Sequence, residues 1–253
     1  MEKITSKQNS KVKEWAKLKT KKGRHQTGTY LLEGWHLVHE AIMNNEPIKS
    51  ILVTESELDT VEISGNFQTI LITEEIANHI ASTVTPQGVF AIVEMDGSKT
   101  ALPSKLEGAW LLLDQVQDPG NIGTMVRTAD AAGFTGVIFG TGSSSRFNPK
   151  IVRSMQGSQF HIQLLEMGLA DAMTSFLQAG YPVYGTELNP DAKSFKQIKP
   201  DKDFALIMGN EGNGMSKNLL TKTTANLYIP IKGKAESLNV AIAAGILMFQ
   251  LLQ

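Results

Sequence analysis

Three short segments in the second half of the chain combine glycines with polar side chains that can hold a ligand. They are NIGTMVRTA at residues 121–129, MGNEGNG at residues 208–214, and a stretch over residues 229–241 that begins with IPI and ends with ESLNVA. Amide and carboxylate groups can orient a polar substrate, and a guanidinium can stabilise negative charge that develops on it. The three segments therefore indicate a binding and catalytic site.

Arg127 is the first candidate for a catalytic role. It lies six residues after Asn121, just under two turns along the helix predicted for this segment. A guanidinium stays protonated in proteins, so it suits a phosphate clamp and the stabilisation of a developing alkoxide better than the role of a base. Asn121 follows Asp118-Pro119-Gly120 and is predicted to be the N-cap. Outside such a motif, an arginine on a helix is more often an ordinary surface residue.

The glycine-rich segment follows an apolar run and carries Glu211. Its G-x-x-G-x-G spacing differs from that of a Rossmann dinucleotide site, and no P-loop Gly-Lys-Ser/Thr follows it. Ligands bind at the carboxyl ends of strands in open α/β sheets, which favours a ligand-binding turn over a purely structural one. Ser237 and Asn239 open the last predicted helix, where the structural alternative is a cap at Ser237 and a first-turn position for Asn239.

These side chains need a framework, and the apolar pattern predicts one in which strands and helices alternate. Strands are predicted over residues 29–32, 50–53, 69–72, 88–93, 110–113, 137–139, 162–165, 182–185, 204–208 and 227–231. Helices are predicted over residues 6–22, 35–43, 73–81 with Thr73 as N-cap, 122–132, 151–156, 169–179 and 238–252. Strands rich in Val, Ile, Leu and Phe without strict alternation are buried on both faces, which indicates an α/β fold with a mainly parallel sheet.

A polar stretch with Gly and Pro at residues 96–105 is the best candidate for a linker. We therefore place a domain boundary near residues 97–106, between an N-terminal domain of residues 1–98 and a C-terminal domain of residues 107–253. A chain of 253 residues is long enough for two domains of ordinary size.

Together and in this order, the three segments resemble the motifs of the SpoU/TrmH class of the SPOUT methyltransferases. The resemblance implies a C-terminal α/β catalytic domain with a mainly parallel sheet and a deep trefoil knot. It extends to the N-terminal half, where Glu33-Gly34 and Gln87-Gly88-Val89 resemble the small α/β, ribosomal-protein-like RNA-binding domain that precedes many SpoU domains. Family members often carry a histidine before the Gln-Gly pair, where this chain has Pro86.

Enzymes of this class move a methyl group from S-adenosylmethionine (AdoMet) to a ribose 2′-hydroxyl of RNA. The resemblance thus implies AdoMet as cofactor and RNA as substrate, with 23S ribosomal RNA favoured over transfer RNA. It implies that the cofactor pocket is lined by Gly209, Ile229 and Leu238, and that the catalytic group comprises Arg127, Asn121, Glu211, Ser237 and Asn239. In the family the arginine is assigned to activating the hydroxyl, the glutamate is a structural or orienting carboxylate, and the last helix helps to form a homodimer.

Basic charge is concentrated at the start of the chain. Residues 1–24 carry nine basic and two acidic side chains, residues 25–99 carry two lysines and eleven acids, and the whole chain has a net charge of −1. A basic segment on a nearly neutral protein is typical of phosphate contact, with a solvated helix face as the alternative. Candidate RNA contacts are Lys11, Lys13, Lys21 and Lys22, together with Lys150 and Arg153 from an Asn-Pro-Lys-x-x-Arg segment that resembles one in the family. Trp15 is expected to anchor its helix rather than to stack on a base.

Composition disfavours several other kinds of protein. The absence of cysteine excludes disulfides, thiolate metal sites and a cysteine nucleophile. The lysine-rich start is no secretory signal, and the most apolar run, residues 240–249, is about half the ~20 residues that a membrane helix needs, so we expect a cytoplasmic protein. His36 and His39 lie three residues apart without a third ligand, and no metal site is expected.

Two other functions stay open at this stage. A catalytically silent RNA-binding or ribosome-assembly factor could keep the same fold, although such a protein would be free to lose the polar residues of the three segments. A nucleotide-dependent oxidoreductase would also suit an α/β layout with glycine-rich turns, but the glycine spacing disfavours it.

Overall fold

The structure, a computed structural model, describes residues 1–63, 65–97 and 100–252. In these ranges the strands are β1 (Glu2–Ile4), β2 (Thr29–Glu33), β3 (Ile48–Thr54), β4 (Thr69–Ile72), β5 (Val89–Glu94), β6 (Ala109–Leu113), β7 (Gly136–Phe139), β8 (Gln163–Glu166), β9 (Val183–Thr186), β10 (Lys193–Ser194), β11 (Phe204–Met208) and β12 (Ala225–Tyr228). The helices are α1 (Ser10–Lys17), α2 (Lys21–Thr27), α3 (Trp35–Met43), α4 (Glu74–Ile80), α5 (Pro119–Ala132), α6 (Pro149–Met155), α7 (Leu169–Gln178), α8 (Lys217–Leu220) and α9 (Val240–Leu251).

The chain forms two compact units. The N-terminal unit consists of the described residues of 1–96 together with 147–161, and the C-terminal unit consists of those of 97–146 and 162–252. The grouping of 147–161, which contains α6, with the N-terminal part has no signal in the sequence. The domain limits of residues 1–98 and 107–253 stay a prediction, and the proposed linker includes Ser98 and Lys99, which lie outside the described residues.

The N-terminal unit is built on a five-stranded mixed sheet in the order β1-β4-β3-β5-β2. Strands β1, β4 and β3 run parallel, whereas β5 is antiparallel to both β3 and β2. Helices α1 and α4 cover it with buried apolar side chains, among them Val12, Trp15 and Ile76. Trp15 is 5% exposed, so it anchors α1 in the core as expected. Thr73 caps α4 by accepting a hydrogen bond from the backbone N–H of Ile76, which confirms the predicted N-cap.

The single helix predicted over residues 6–22 is wrong, because two helices occupy this region. The hydroxyl of Thr20 accepts a hydrogen bond from the backbone N–H of Gly23 at 3.0 Å and so starts α2. The guanidinium of Arg24, which is 4% exposed, donates to the carbonyls of Leu18 at 2.9 Å and Lys19 at 3.2 Å. These bonds satisfy carbonyls that a continuous helix would have used itself. Burial lowers the pKa of Arg24.

The C-terminal unit contains a seven-stranded sheet in the order β10-β12-β9-β11-β6-β7-β8. Every neighbouring pair is parallel, which confirms the sheet type that the apolar runs predict. Its central strands β6 and β11 are buried along their whole length, with α7 packed on one side through Met173 and Phe176. Because the strands are parallel, the segments after β6, β9, β11 and β12 all begin at one edge of the sheet.

Most other predicted elements are present within one to three residues of their predicted ends. The strand predicted over residues 227–231 instead spans Ala225–Tyr228, and Pro230, which has no N–H to donate, lies beyond its end. The short elements β1, β10 and α8 were not predicted, since two to four residues show no periodicity. No helix among the described residues has the length and apolarity to cross a membrane. The trefoil knot stays a prediction from the resemblance.

Candidate active site

The glycine-rich segment after β11 forms a tight loop closed by two backbone hydrogen bonds. The N–H of Asn210 donates to the carbonyl of Gly214, the N–H of Gly214 donates to that of Asn210, and both distances are 2.9 Å. The side-chain oxygen of Asn210 accepts from the N–H groups of Gly212 and Asn213, each at 3.0 Å. Gly209 must be glycine because a Cβ there would collide with the backbone of Gly214 and the residue after it.

Asp114, which the sequence reasoning did not single out, and Asn210 of the glycine-rich segment fix this loop to the end of β6. Asp114, which is 4% exposed, accepts hydrogen bonds from the backbone N–H of Ser216 at 2.6 Å and from its hydroxyl at 3.0 Å. The side-chain amide of Asn210 donates to the carbonyl of Gln115 at 2.9 Å. A carboxylate directly after the apolar run of β6 lies at the carboxyl end of a strand, and that position could have marked Asp114 as a site residue.

Glu211, at the tip of the loop, connects it to the start of α5. Its carboxylate accepts hydrogen bonds from the backbone N–H groups of Gln117 at 3.2 Å and Asp118 at 3.0 Å, and from the side-chain amide of Asn121 at 3.3 Å. Partial burial would raise the pKa of Glu211, but its own backbone N–H and these three donors together lower it. The group is therefore charged at neutral pH, and the stability it contributes is lost only on acidification through that lowered pKa.

Asn121 is also hydrogen-bonded to the residue that caps the last helix, α9. Its side-chain oxygen accepts a hydrogen bond from the side-chain amide of Asn239 at 3.0 Å. The oxygen of Asn239 in turn accepts from the N–H groups of Ala241 at 2.9 Å and Ile242 at 3.3 Å. One chain of hydrogen bonds, Glu211–Asn121–Asn239, thus joins the three segments that the sequence singled out.

The predicted N-cap of α5 was misplaced, and the structural alternative of a cap at Ser237 is wrong. The N-cap of α5 is Asp118, whose carboxylate accepts from the N–H of Asn121 at 2.8 Å, so Asn121 lies in the first turn rather than at the cap. The N-cap of α9 is Asn239, and Ser237 lies two residues before it. In each case the asparagine amide that the helix does not use is free for the connection between segments. Pro119 at the first helical position was the available signal for a cap at Asp118.

A cavity of about 520 Å³ opens beside the start of α9 in the C-terminal unit. We call it the C-terminal cavity; its lining includes Thr186, Glu187, Leu188, Ile229, Ser237, Leu238, Ala243 and Leu247. The lining is mostly apolar and contains two carboxylates, those of Glu187 and Glu236. No lysine or arginine of the described residues is part of it. An apolar pocket with carboxylates and without cations fits a ligand that has flat rings and a positive charge, as AdoMet has.

Two of the three residues predicted to line the cofactor pocket do line this cavity, and the third does not. Ile229 and Leu238 line the C-terminal cavity, whereas Gly209 is not among its lining residues and serves the close backbone packing of the loop. The sequence reasoning missed Thr186, Glu187 and Leu188, which line the cavity at the end of β9 and directly after it. Their position at the carboxyl end of a parallel strand was the signal that could have found them.

Arg127 lies apart from the hydrogen-bonded chain. It is exposed on α5 and makes no hydrogen bond or ion pair within the described residues. It does not line the C-terminal cavity. A guanidinium without a partner at the surface can take an anionic group from outside the chain.

The candidate RNA residues differ in their surroundings. Lys11 is paired with Glu2 at 2.7 Å, whereas Lys13, Lys21 and Lys22 are exposed and have no ion pair within the described part of the chain. Lys150 is exposed at the start of α6, where Asn148 is the N-cap. Arg153 lines a cavity of the N-terminal unit.

The two histidines considered for metal binding have other neighbours. The ring of His36 lies 3.1 Å from the carbonyl of Gln156 through its Nε2, and His39 packs against the ring of Trp35. In the ranges that the structure describes, no group of three or more His, Cys, Asp or Glu is arranged to hold a metal ion.

Comparison with protein families gives two matches. Residues 108–249, which span the C-terminal motifs, match the SpoU rRNA Methylase family. Residues 9–91 match the MRM3-like substrate binding domain.

Comparison with individual proteins agrees. The chain is 44% identical over 251 residues to the 23S rRNA (guanosine(2553)-2′-O)-methyltransferase RlmP of Bacillus subtilis, covering 99% of each protein. An AdoMet-bound rRNA methyltransferase from Sinorhizobium meliloti has a similar structure, with a TM-score of 0.88, 31% identity, and coverage of 99% of this chain and 97% of that one. The AdoMet complex of the SpoU methyltransferase AviRb from Streptomyces viridochromogenes, at 24% identity and a TM-score of 0.83, covers 96% of this chain and 97% of its own and shares the fold.

Proposed function

Because the chain belongs to the SpoU rRNA methylase family, we propose that it transfers the methyl group of AdoMet to a ribose 2′-hydroxyl of ribosomal RNA. The observation that carries this proposal is the hydrogen-bonded chain Glu211–Asn121–Asn239, which connects all three motifs next to the C-terminal cavity. The similarity to a Bacillus subtilis enzyme named for 23S rRNA supports 23S rRNA as the substrate, and with it the cytoplasm as the compartment.

The C-terminal cavity is the proposed cofactor site. Ile229 and Leu238 supply apolar surface for the rings of the cofactor, and the backbone around them supplies donors and acceptors. The carboxylates of Glu187 and Glu236 are available to hydroxyl or ammonium groups. Bound AdoMet supplies a sulfonium whose methyl group is already electrophilic.

In this proposal, side chains of the three motifs hold the substrate. Arg127 clamps a phosphate of the RNA and stabilises the negative charge that develops on the 2′-oxygen. The Glu211–Asn121–Asn239 chain fixes the start of α5, the glycine loop and the start of α9 relative to one another, and Ser237 contacts the ribose from the last of these. Alignment of the hydroxyl with the methyl group can by itself supply ~7–11 kcal/mol of the barrier.

The basic N-terminal segment is a proposed RNA-contacting surface, but its removal would not be a clean test. Residues 1–24 contain β1 and the core residues Val12, Trp15 and Leu18, so a truncated chain would lose part of the N-terminal unit. Neutralising the unpaired lysines instead preserves that core.

We expect the triple substitution of Lys13, Lys21 and Lys22 to glutamine to weaken RNA binding and to flatten its salt dependence. Each lost phosphate contact reduces the slope of log K against log salt by roughly 0.7 for single-stranded RNA. The measurement is the affinity for 23S rRNA fragments at several salt concentrations. The control replaces the exposed lysines 196, 199 and 222 with glutamine, and an equal loss in the control would argue against a localised RNA surface.

The last helix supports the homodimer that the resemblance implies. Ile242, Ile246 and Phe249 lie on one side of α9 at spacings of four and three residues, and they are 56%, 38% and 62% exposed. A row of exposed large apolar side chains on a helix is typical of an interface, and we propose a second copy of this chain as the partner.

We expect Phe249→Glu to convert the protein to a monomer, because a charge would be buried in the apolar interface. Light scattering after gel filtration should give twice the 27.6 kDa chain mass for the unmodified protein and the single mass for the variant. Leu177→Glu, at a 41% exposed apolar residue on α7, is the matched control and should stay dimeric. A monomeric unmodified protein would contradict this part of the proposal.

The function is tested by mapping 2′-O-methyl groups in RNA from strains with and without the gene. A 2′-O-methyl group blocks alkaline cleavage at its own position, so one protected site in 23S rRNA should disappear with the gene and return with a plasmid copy. Loss of a protected site in transfer RNA alone would correct the substrate, and no change in either RNA would refute the proposed function.

A further inference from the structure

Three sequence features are not used by the proposed reaction, and they meet in the N-terminal unit. Glu33 ends β2 and Gly34 directly precedes α3, Gln87-Gly88 precedes β5, and Arg153 lies on α6. Glu33, Gly34, Gln87 and Arg153 line one cavity of about 250 Å³, which we call the N-terminal cavity. Neither the AdoMet site nor the motif residues of the C-terminal unit belong to it.

The walls of the N-terminal cavity are fixed by hydrogen bonds. The carboxylate of Glu33 accepts from the backbone N–H groups of Ser82 at 2.8 Å and Thr83 at 3.2 Å, and also from the hydroxyl of Thr83. These bonds occupy Glu33 and hold Ser82 and Thr83 against the end of β2. Glu33 therefore has a structural role, and hydrogen-bond donors compensate most of the charge of its carboxylate.

Gln87 is held with its amide NH₂ free. Its side-chain oxygen accepts from the backbone N–H of Trp35 at 3.2 Å. Gly34, with φ of 97°, leaves room for this contact, because a Cβ there would lie 2.8 Å from the same oxygen. The NH₂ group has no partner among the described residues.

Two more side chains in the lining, those of Arg153 and His36, can contact a ligand. Arg153 is partly buried, and its guanidinium has no partner within the described part of the chain. The ring of His36 is exposed and is held 3.1 Å from the carbonyl of Gln156 by its Nε2. The cavity therefore offers a planar guanidinium, an amide donor and a flat ring, with unused hydrogen-bonding capacity.

This combination matches a nucleobase better than a phosphate. Unpaired bases are recognised in RNA by stacking on aromatic or guanidinium planes and by hydrogen bonds to their edges. A phosphate site would be expected to bring together several cations or backbone N–H groups. The lining here has one arginine and one side-chain amide, whose NH₂ group can donate a hydrogen bond to a carbonyl of a base.

We propose that the N-terminal cavity binds the base of one unpaired nucleotide of the RNA substrate, other than the nucleotide that is methylated. Arg153 and the NH₂ of Gln87 donate to acceptors on the edge of the base, and His36 packs against it. The proposal rests on RNA being the substrate, as the proposed function states, but it does not require methyl transfer to occur.

The test uses Arg153→Lys, which keeps the charge and loses the planar fork, and Gln87→Glu, which keeps the acceptor for Trp35 and loses the amide donor. Each should raise KM for 23S rRNA roughly tenfold, as expected for loss of a base-edge contact. At saturating RNA, kcat should stay within about twofold, because neither residue touches the reacting atoms, and AdoMet affinity by calorimetry should be unchanged. Lys49→Gln, at an exposed residue of β3 in the same unit, is the control and should behave as the unmodified protein.

A second readout is independent of catalysis. Cross-linking to 23S rRNA that contains 4-thiouridine, followed by peptide mass spectrometry, should place a cross-link within residues 82–88 or 149–156, and both variants should weaken it. If Arg153→Lys binds normally while Arg153→Gln only flattens the salt dependence, the residue contacts a phosphate and the proposal is wrong. Cross-links confined to other segments would also overturn it. If the unmodified protein cross-links here but transfers no methyl group, the proposed function fails and the base pocket stands.

Discussion

Replacing Arg127 with alanine is expected to lower kcat for methyl transfer by about 10²- to 10³-fold, while the affinity for AdoMet stays unchanged. Removal of one group that stabilises developing oxyanion charge costs about this much in other enzymes. Arg127 lies outside the C-terminal cavity and makes no bond to the described residues, so its loss should leave both the cofactor site and the fold intact. Single-turnover methylation and calorimetric titration with AdoMet measure the two effects separately.

Two further variants sharpen this test. Arg127→Lys keeps the charge but not the bidentate fork, and we expect it to recover only part of the lost rate. Thr124→Ala, at another exposed position of α5, is the matched control and should keep near-normal activity. A parallel loss of AdoMet affinity in Arg127→Ala would show that the arginine is structural rather than catalytic.

Replacing Glu211 with glutamine is expected to lower kcat/KM by about 10- to 100-fold. Its carboxylate accepts from two backbone N–H groups and from Asn121, and a glutamine would direct an NH₂ group at one of these donors. The loop and the start of α5 would shift apart, and small misplacements of reacting groups can cost about 10²-fold in rate. Because Glu211 is largely exposed, the loss in stability should be small, about 1 kcal/mol.

The test compares the loss in kcat/KM of Glu211→Gln with the shift in its midpoint temperature of thermal unfolding. Asn213→Ala changes the same loop at a side chain that makes no hydrogen bond to the described residues, and it should leave both values near normal. Full activity of Glu211→Gln would contradict the role of the Glu211–Asn121–Asn239 chain. Loss of activity only in proportion to unfolding would make Glu211 a stability residue.

Local sequence patterns predicted the architecture where every residue of a strand is buried. Strands β6 and β11 are apolar along their whole length, which is typical of central parallel strands, and they occupy the centre of the sheet. The break between α1 and α2 could not be predicted from the sequence, because it depends on hydrogen bonds from the Arg24 guanidinium to the carbonyls of Leu18 and Lys19. The same arginine contributes to the basic count of the N-terminal segment but is buried and unavailable to phosphate.

The sequence motifs single out residues that the structure brings together, but they do not predict how these residues are arranged. The motifs identified Asn121, Glu211 and Asn239, which the structure connects directly. Their hydrogen bonds span about ninety or more residues, and no local pattern indicates which amide donates to which oxygen. The hydrogen bonds of Asp114 could not be predicted for the same reason, since its partner Ser216 lies 102 residues away.

The most direct measurement of the central claim is transfer of labelled methyl from AdoMet to 23S rRNA isolated from a strain that lacks this protein. Alkaline hydrolysis then separates ribose methylation, which leaves label in alkali-resistant dinucleotides, from base methylation, which leaves it in mononucleotides. The account predicts label in dinucleotides with the unmodified protein and almost none with Arg127→Ala. Label in mononucleotides, or equal transfer by Arg127→Ala, would contradict it.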